Sequence, residues 1–537
     1  MPSNCARNVR DDEKGSPGNF QSYHLEGWRL YGLTFAMCLG LFLASLESTI
    51  VSTSLLSITN DLHGFQKGSW VVATYLLTYT GFLVVMAKLS DTFGRKATMI
   101  FCLAFFIIFS IACGFAQSMT QLIVCRAFQG IGGGGMSTLT FVILPEHISP
   151  AVYPTYAAVV SSTLAFSSLL GPVLGGVICN NTTWRWVFFL NAPAGCVALI
   201  LLLITLPSRP CANESILSKL KRVDYLGALL VLSSTVLFVT ALEQGGTGSS
   251  WRSALVLSLL IISIILGSLC LFWSWYLGHN PKKQEPMLAW NLLTNRFAVG
   301  IFLNSFFLGS IFLSSIFVLP QRFQIVYQDS PAIAGYRLLC VTLVSPIFSG
   351  VAGFLMQKKR TPPLYILLAA QALALLGCGL ASSVPETARS YSRAEYAYQA
   401  IMGAGFGMGL STAIMAAPLA YSKTDMASAA VGIGTTNQMR SLGASIGVSV
   451  CANILSRTLT NSLQGQLSPQ QMKGLLGSAE AIKVIPVELQ EAVQQAVAQS
   501  FTRQMQAMCA LAGAGLLATL IMIERQPRFQ ARQGGIE

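Results

Sequence analysis

Charged residues are scarce in this chain. Only 10% of its 537 residues are Asp, Glu, Lys or Arg, whereas 53% are hydrophobic and the mean hydropathy is +0.59. Soluble domains of ordinary composition carry about 25% charged residues. So few charges cannot cover the water-facing surface of a soluble multidomain enzyme, which excludes that class. Collagen-like, disordered and disulfide-scaffold classes fail on composition as well, which leaves a polytopic membrane protein.

Residues that build metal, disulfide or nucleotide sites are few or badly placed. The four histidines, His24, His63, His147 and His279, are scattered over loops and span ends. The thirteen cysteines are an odd number, and most stand inside apolar runs, where cysteine usually acts as a small hydrophobic residue. The phosphate-binding pattern Gly-x4-Gly-Lys-Ser/Thr is missing. We therefore expect no metal site, no disulfide framework, no cofactor and no direct use of ATP.

Long apolar runs account for about half of the chain. A transmembrane helix needs about 20 such residues. This length predicts an all-α protein with fourteen spans and leaves no block large enough for a sizeable soluble domain. The predicted spans are 30–55, 69–87, 97–116, 120–143, 154–178, 186–206, 224–243, 253–276, 297–320, 333–356, 363–382, 396–421, 431–455 and 505–524.

Basic residues are clustered between these runs. A net charge of +13 could indicate nucleic-acid binding in a soluble protein, but here Lys and Arg are densest in both tails and in the even-numbered connections, as in 88–96 and 358–360. The positive-inside rule then predicts that both termini are cytoplasmic. Two glycosylation sequons, at Asn180 and Asn181, fall on the outer side in a loop close to the lipid, so we expect little glycosylation there.

Two parts of the sequence echo each other. Arg126-Ala-Phe-Gln-Gly130-Ile-Gly-Gly-Gly in the fourth run is matched by Gln399-Ala-Ile-Met-Gly403-Ala-Gly-Phe-Gly in the twelfth. This repetition predicts two six-helix bundles with a transport site between them.

The chain divides into five predicted segments. They are a disordered cytoplasmic tail (1–29, with no signal peptide), an N-terminal bundle (30–206), a linker with two inserted helices (207–296), a C-terminal bundle (297–524) and a cytoplasmic tail (525–537). The C-terminal bundle includes an extracytoplasmic loop at about 457–503, which contains an amphipathic helix pattern.

Three charged residues lie deep inside apolar runs, where each costs at least ~2.5–3.5 kcal/mol. Glu47 could take up and release a proton near neutral pH, or could be a neutral structural residue. Arg126 cannot lose its proton and is either a structural clamp or part of a proton relay. Arg440 is either a substrate contact or, more simply, an anchor for helix packing. The counterpart of Arg126 in the second half is the uncharged Gln399, so the first half is the better candidate for coupling.

Two glycine-containing motifs suggest moving parts. Between the second and third runs, Asp91, Gly94, Arg95 and Lys96 combine a tight turn with opposite charges, which favours an ion-pair latch. The fifth run contains Gly171-Pro172-x2-Gly175-Gly176. Its proline predicts a bend in the helix, and its glycines allow a neighbouring helix to approach closely.

Together these motifs resemble the major facilitator superfamily, in particular its fourteen-span drug:proton antiporter group, which is common among fungal efflux pumps. The resemblance covers about residues 30–455. Its motifs are Leu46-Glu-Ser-Thr-Ile-Val51, with Glu47 where Asp is usual, the 91–96 turn, Arg126 to Gly132, the Gly171-Pro172 motif and Trp184-Arg-Trp-x-Phe-Phe-x-Asn191-x-Pro193.

The resemblance implies proton-driven export of a small hydrophobic or amphipathic compound, a drug or a fungal secondary metabolite such as a toxin. Glu47 and Arg126 would couple protons to transport. The spans are rich in Phe, Met, Ser, Thr and Asn, which suits such a cargo better than sugars or inorganic ions. The candidate cavity residues are Trp70, Tyr75, Gln129, Asn304, Phe307, Asn437, Gln438 and Arg440.

Several alternatives stay open at this point. The same scaffold could carry basic amino acids into a vacuole, or a siderophore, and a membrane receptor or membrane-embedded enzyme is a more remote possibility. The expected location is the plasma membrane, with the vacuolar membrane as the alternative. The expected partners are a small-molecule cargo and the lipid bilayer, without nucleic acid, for a monomeric protein.

Overall fold

The computed structural model is helical throughout its described part. It describes residues 25–62, 68–148, 153–207, 224–247, 251–279, 287–288, 290–329, 331–420, 426–463 and 487–524, and no β-strand occurs in these ranges. The helices are α1 Trp28–Asp61, α2 Gly68–Phe93, α3 Arg95–Gly114, α4 Met119–His147, α5 Tyr153–Asn181, α6 Arg185–Phe189, α7 Asn191–Thr205, α8 Tyr225–Thr247, α9 Ala254–His279, α10 Trp290–Thr294, α11 Arg296–Ile325, α12 Pro331–Gln357, α13 Pro363–Ser382, α14 Arg393–Ala416, α15 Met426–Ser462 and α16 Val487–Thr519, with short 3-10 turns at Ala417–Ala420 and Leu520–Met522.

Thirteen membrane-length apolar segments lie in the described residues. They confirm an all-α polytopic protein. The predicted fifth span at 154–178 coincides with helix α5 but is not among these thirteen, so the total of fourteen stays a prediction. The predicted sixth span lies on α6 and α7, which are separated by Leu190 alone.

Both ends of the predicted polar loop at 457–503 are helical. Helix α15 continues to Ser462 and α16 begins at Val487, so the amphipathic pattern at 488–499 is helical, as predicted. Val493 and Val497 on α16 pack against Leu455 and Leu459 on α15. This apolar contact stabilises the polar ends of both helices, which therefore extend beyond the predicted spans.

The glycines of the two sequence echoes occupy equivalent positions. Gly130 and Gly134 on α4 lie against the carbonyls of Tyr75 and Tyr79, one turn apart on α2. In the second half, α14 makes the corresponding pair of contacts with α12: Gly403 meets Val341, and Gly407 meets Ser345. Since a side chain at any of these glycines would collide with backbone, the repeat encodes the same close helix contact twice.

The two halves meet through two equivalent pairs of helices, with one helix of each pair from either half. Helix α5 packs against α12, and α2 packs against α15. The first inserted helix, α8, lies against both α2 and α15, where Gln438 on α15 donates to Thr235 on α8 at 3.0 Å. The second inserted helix, α9, carries exposed aliphatic side chains such as Ile261 and Ile264, as expected of a lipid-facing helix.

Candidate transport site

Glu47 lies at the centre of the first bundle. Its side chain is fully buried on α1. Oε1 accepts a hydrogen bond from Nη1 of Arg126 at 2.6 Å, and Oε2 accepts one from Nδ2 of Asn191 at 2.6 Å. One carboxylate therefore joins α1 to α4 and to α7. A charged carboxylate with a guanidinium and an amide donor is the arrangement that makes burial of a charge tolerable.

Arg126 is held by more than its ion pair. Nε donates to the Val71 carbonyl on α2 at 3.0 Å, and Nη1 also donates to Oε1 of Gln129 at 2.9 Å. The guanidinium lies 4.3 Å from the ring centre of Tyr75, and the hydroxyl of Tyr75 donates to the Ala44 carbonyl. These contacts fix the direction of the guanidinium, so its position depends on α1, α2 and α4 together.

Ser110 on α3 completes the network. Its hydroxyl accepts from Asn191 at 2.8 Å and from Gln129 at 3.1 Å, and donates to the Phe188 carbonyl at 2.9 Å. Five long helices, α1, α2, α3, α4 and α7, thus contribute to one buried polar cluster, here called the Glu47 cluster (Glu47, Tyr75, Ser110, Arg126, Gln129 and Asn191). A change of charge at Glu47 would be felt in all of them.

The anchoring of α6 positions Asn191. Trp184 donates from its indole to Asp61 at 2.9 Å, and Arg185 donates to the carbonyls of Gly114 and Ala116 at the end of α3. These bonds anchor α6 against α1 and α3, so that the first residue of α7 faces Glu47. The Trp184–Pro193 motif is therefore the sequence signal from which Asn191 could have been predicted as a site residue.

The corresponding region of the second bundle has no acid–base pair in its described residues. Gln399, the counterpart of Arg126, donates to the Tyr391 hydroxyl at 2.7 Å. Asn304, on α11, donates to Thr519 at 2.7 Å. The second half thus has amides and hydroxyls where the first has an ion pair.

A second buried arginine lies at the end of α11. Nε of Arg322 donates to the Tyr327 hydroxyl at 3.0 Å, and Tyr327 donates to Glu395 at 3.0 Å. Burial raises the pKa of Tyr327 to about 12, so this link stays protonated at neutral pH. The guanidinium of Arg322 also donates to the Pro385 carbonyl and lies over the ring of Phe501. These contacts tie the end of α11 to α14 and α16.

The predicted 91–96 latch forms an ion-pair group. Gly94 has φ of +98° between α2 and α3, a conformation that glycine adopts without strain. Arg95 pairs with Asp91 and, at 2.8 Å, with Glu146 near the end of α4. Lys96 donates to the Leu203 carbonyl on α7 at 2.8 Å. Glu146 was not predicted, because sequence alone does not show that the end of α4 returns to this turn.

The glycine motif of α5 makes one close helix contact in the described residues. Gly171 lies against Thr49 and Ile50 of α1, whereas a Cβ at Gly176 would meet open space. Gly175 is buried. The side chain of Pro172 lies outside the described residues, and the bend predicted there stays a prediction. The same holds for the side chain of the sequon residue Asn180, while Asn181 is exposed and donates to the Val177 carbonyl.

A small cavity lies between the halves. Two of the eight predicted cavity residues, Asn437 and Arg440, line it. Its lining comes from α4, α11, α14, the following 3-10 turn and α15, and is mostly apolar. The lining residues are Phe141, Ser305, Leu308, Leu410, Ala413, Ile414, Ala417, Ile433, Thr436, Asn437 and Arg440.

The other six predicted cavity residues do not line this cavity, and their role in cargo binding stays a prediction. Tyr75 and Gln129 belong to the Glu47 cluster, since the ring of Tyr75 lies beside the Arg126 guanidinium and Gln129 accepts a hydrogen bond from it. Gln438 binds Thr235 on inserted helix α8. The remaining three follow other contacts: Asn304 binds Thr519, Phe307 packs edge-on against Phe306, and Trp70 lies at the beginning of α2, where its carbonyl accepts from Thr74.

Metal ligands and disulfides do not enter this site. No group of three or more His, Cys, Asp or Glu residues is placed to hold a metal ion within the described ranges. The eleven cysteines in those ranges are free thiols. The side chains of the Glu47 cluster offer hydrogen bonds, a charge pair and a carboxyl group that can bind a proton.

Comparison with known proteins identifies the family. The sequence pattern described as the Major Facilitator Superfamily matches residues 37–448, more than half of the chain. The chain belongs to that superfamily. It is a multi-pass membrane transporter and not an enzyme.

Curated relatives cover nearly the whole chain. MFS-type transporter FPY5 of Fusarium mangiferae is 41% identical over 94% of this chain and 85% of its own length. MFS-type efflux transporter ffsH of Aspergillus flavipes is 30% identical over 83% of this chain and 74% of its own length. A solved bacterial homologue of the human lysosomal transporter Spinster, inward-facing and occupied, is 17% identical, with a TM-score of 0.57 over 93% of this chain and 97% of that one; it supports the fold alone.

Proposed function

We propose that this transporter is a proton-coupled exporter, an antiporter that moves a small hydrophobic or amphipathic compound out of the cell in exchange for protons. The observation that carries the proposal is the fully buried Glu47–Arg126 ion pair, to which Asn191 adds a third helix. A buried charge of this kind inside a membrane bundle is a functional site by default. Among the described helices of the second bundle, no acid–base pair offers an equivalent.

Protonation of Glu47 would weaken the contacts by which this residue joins α1 to α4 and α7. A neutral carboxyl no longer attracts Arg126 as an ion, so the cost of separating α1 from α4 and α7 falls. The proton can therefore favour one arrangement of the helices over another, which is the requirement for coupling. The outward direction and the cargo class are supported by the relative named an efflux transporter and by the mostly apolar cavity lining.

The remaining expectations belong to the same proposal. The termini are cytoplasmic, the protein is a monomer in the plasma membrane, and the spans total fourteen, with two six-helix bundles and two inserted helices. The 91–96 turn acts as a latch, since Arg95 ties α2 and α3 to α4 when the helix ends are together. The α5 motif lets α5 slide against α1, because glycine at 171 leaves no side chain between them.

Glu47→Gln tests the coupling. Purified protein is reconstituted into liposomes, a panel of amphipathic fluorescent compounds is supplied, and lumenal pH is recorded with pyranine. We expect the wild type to accumulate a compound against its gradient when protons flow the other way. Glu47→Gln should lose this response while retaining exchange of the same compound down its gradient, because glutamine keeps the shape of the side chain and one acceptor oxygen but cannot titrate.

Two variants control for unrelated effects of the same substitution. Glu491→Gln changes an exposed residue on α16, and Glu395→Gln changes a buried one in the second bundle. Both should remain pH-driven. Wild-type transport that ignores the pH difference, or Glu47→Gln transport that still follows it, would contradict the proposal.

A further inference from the structure

The cavity between the halves has one polar corner. Arg440 and Asn437, one turn apart on α15, face it together with Ser305 on α11. Oδ1 of Asn437 accepts from both Nη2 and Nε of Arg440, at 2.6 and 3.2 Å. The amide oxygen is therefore occupied, and Nδ2 is turned the other way with its two N–H donors. Neither Asn437 Nδ2 nor Ser305 Oγ has a hydrogen-bond partner, although both atoms are buried.

Arg440 differs from Arg126, Arg95 and Arg337 in how its charge is balanced. Arg126 pairs with Glu47, Arg95 with Asp91 and Glu146, and Arg337 with Asp329. Across the described ranges no ion pair reaches Arg440; its polar neighbours are the amide of Asn437 and the hydroxyl of Tyr79 on α2. Arg322 has no direct ion pair there either, but the Tyr327 hydroxyl links it to Glu395. A guanidinium does not lose its proton, so its charge persists in this cavity without a carboxylate to balance it.

The packing of Arg440 does not account for its charge. Gly309 on α11 lies against the backbone carbonyl of Arg440, so the close contact between α11 and α15 uses the main chain at this position. The side chain is partly exposed and lines the cavity. A neutral residue of similar length would serve that packing equally well, which leaves the positive charge for another role.

We propose that this cavity binds cargo bearing a carboxylate or a comparable acidic group, with the anionic end on Arg440 and the apolar remainder against Leu308, Leu410 and Ile433. Charge-assisted bonds from Arg440, together with N–H donors of Asn437 and the hydroxyl of Ser305, would satisfy the oxygens of such a group. The inference rests on the proposed function and narrows its cargo to amphipathic acids. It also explains two buried donors that otherwise have no partner.

A matched pair of probes tests the charge preference. The binding of 11-(dansylamino)undecanoate and of its methyl ester to purified full-length protein is measured in detergent by dansyl fluorescence at one pH. We expect the wild type to bind the acid roughly tenfold or more tightly than the ester, a difference of about 1.4 kcal/mol. Arg440→Gln should bind both equally. Arg457→Gln, an exposed arginine on the same helix, should keep the wild-type preference.

Asn437→Asp gives a second, independent variant. It keeps the shape of the side chain but places a carboxylate beside Arg440, so the preference for the acid should be lost even if Arg440→Gln does not fold. Equal affinity of the wild type for acid and ester, or an acid preference that survives Asn437→Asp, would overturn the assignment. The binding measurement uses no pH gradient, so its result does not depend on the proposed coupling. A Glu47→Gln protein should lose pH-driven transport but keep the acid preference, so failure of the coupling and failure of the cargo assignment can be told apart.

Discussion

At the residue scale, the Glu47 cluster depends on a matched pair of charges. Glu47 and Arg126 are both fully buried, and each has its partner at 2.6 Å. Removing one member of a buried pair is costly because the other charge remains without compensation, while removing both can be nearly neutral. The arrangement therefore predicts strong non-additivity between substitutions at these two positions.

Arg126→Gln, Glu47→Gln and the double variant test this coupling through apparent melting temperatures in detergent. At pH 8 we expect Arg126→Gln to be the least stable, by about 3–5 kcal/mol, because it leaves a buried carboxylate without its cationic partner. The double variant should be more stable than Arg126→Gln. Lowering the pH to 5 should raise the stability of Arg126→Gln relative to the wild type, since the carboxyl can then become neutral.

The control for this cycle is Arg457→Gln, which changes an exposed arginine on α15, outside the Glu47 cluster. Combined with Glu47→Gln, it should give effects that simply add. If the Arg126 and Glu47 substitutions were also additive, the ion pair would not be the interaction that stabilises the cluster.

At the scale of elements, glycines decide how closely helices approach. Gly443 on α15 lies against the Phe306 carbonyl on α11, and Gly447 against the Ser310 carbonyl one turn later. Glycines elsewhere, such as Gly350 on α12, face open space. Only the glycines that contact the backbone of a neighbouring helix are therefore needed for close helix packing.

Gly443→Ala and Gly350→Ala form a matched test of this distinction. The added methyl group at 443 collides with a carbonyl of α11 and should destabilise the protein by about 1–3 kcal/mol. At 350 the methyl group meets nothing, and the better helix propensity of alanine should be neutral or stabilise by up to about 1 kcal/mol. Melting temperature and detergent-solubilised yield are the measurements. Equal effects at the two sites would contradict the close contact between α11 and α15.

At the scale of the whole molecule, alternating access requires the two halves to move against each other. Helices α2 and α15 meet across the halves, where a Cβ at Gly434 would lie 3.0 Å from that of Ala87. Bridged Cβ atoms are about 3.5–4.5 Å apart, so two cysteines at these positions can form a disulfide after the helices separate by a fraction of an ångström. A covalent bond there would hold the halves in the arrangement of this structure.

Ala87→Cys/Gly434→Cys should therefore lose transport under mild oxidation and regain it after reduction, with the linked peptides identified by mass spectrometry. Each single-cysteine variant should remain active under the same oxidation, which controls for the cysteines already present. A double variant that is quantitatively cross-linked yet still transports would show that these helix faces do not separate during the cycle.

Much of the architecture follows from the sequence alone. Apolar runs of membrane length determine the helical spans, and the repeated Gly-x-Gly-x-Gly patterns after Arg126 and Gln399 predict the two-fold organisation, because both signals are local. Glu47 and Arg126 could also be singled out individually, since a charge in an apolar run is visible without any partner.

The tertiary structure decided which residues meet. Asn191 and Ser110 reach Glu47 only because α3 and α7 pack beside α1, and Glu146 reaches Arg95 because α4 returns to the 91–96 turn. Six polar or aromatic residues predicted for the cavity bind or pack elsewhere, whereas Ser305 lines it without having been predicted. Polarity within a span shows that a side chain needs a partner, but the partner is set by the packing of helices distant in sequence.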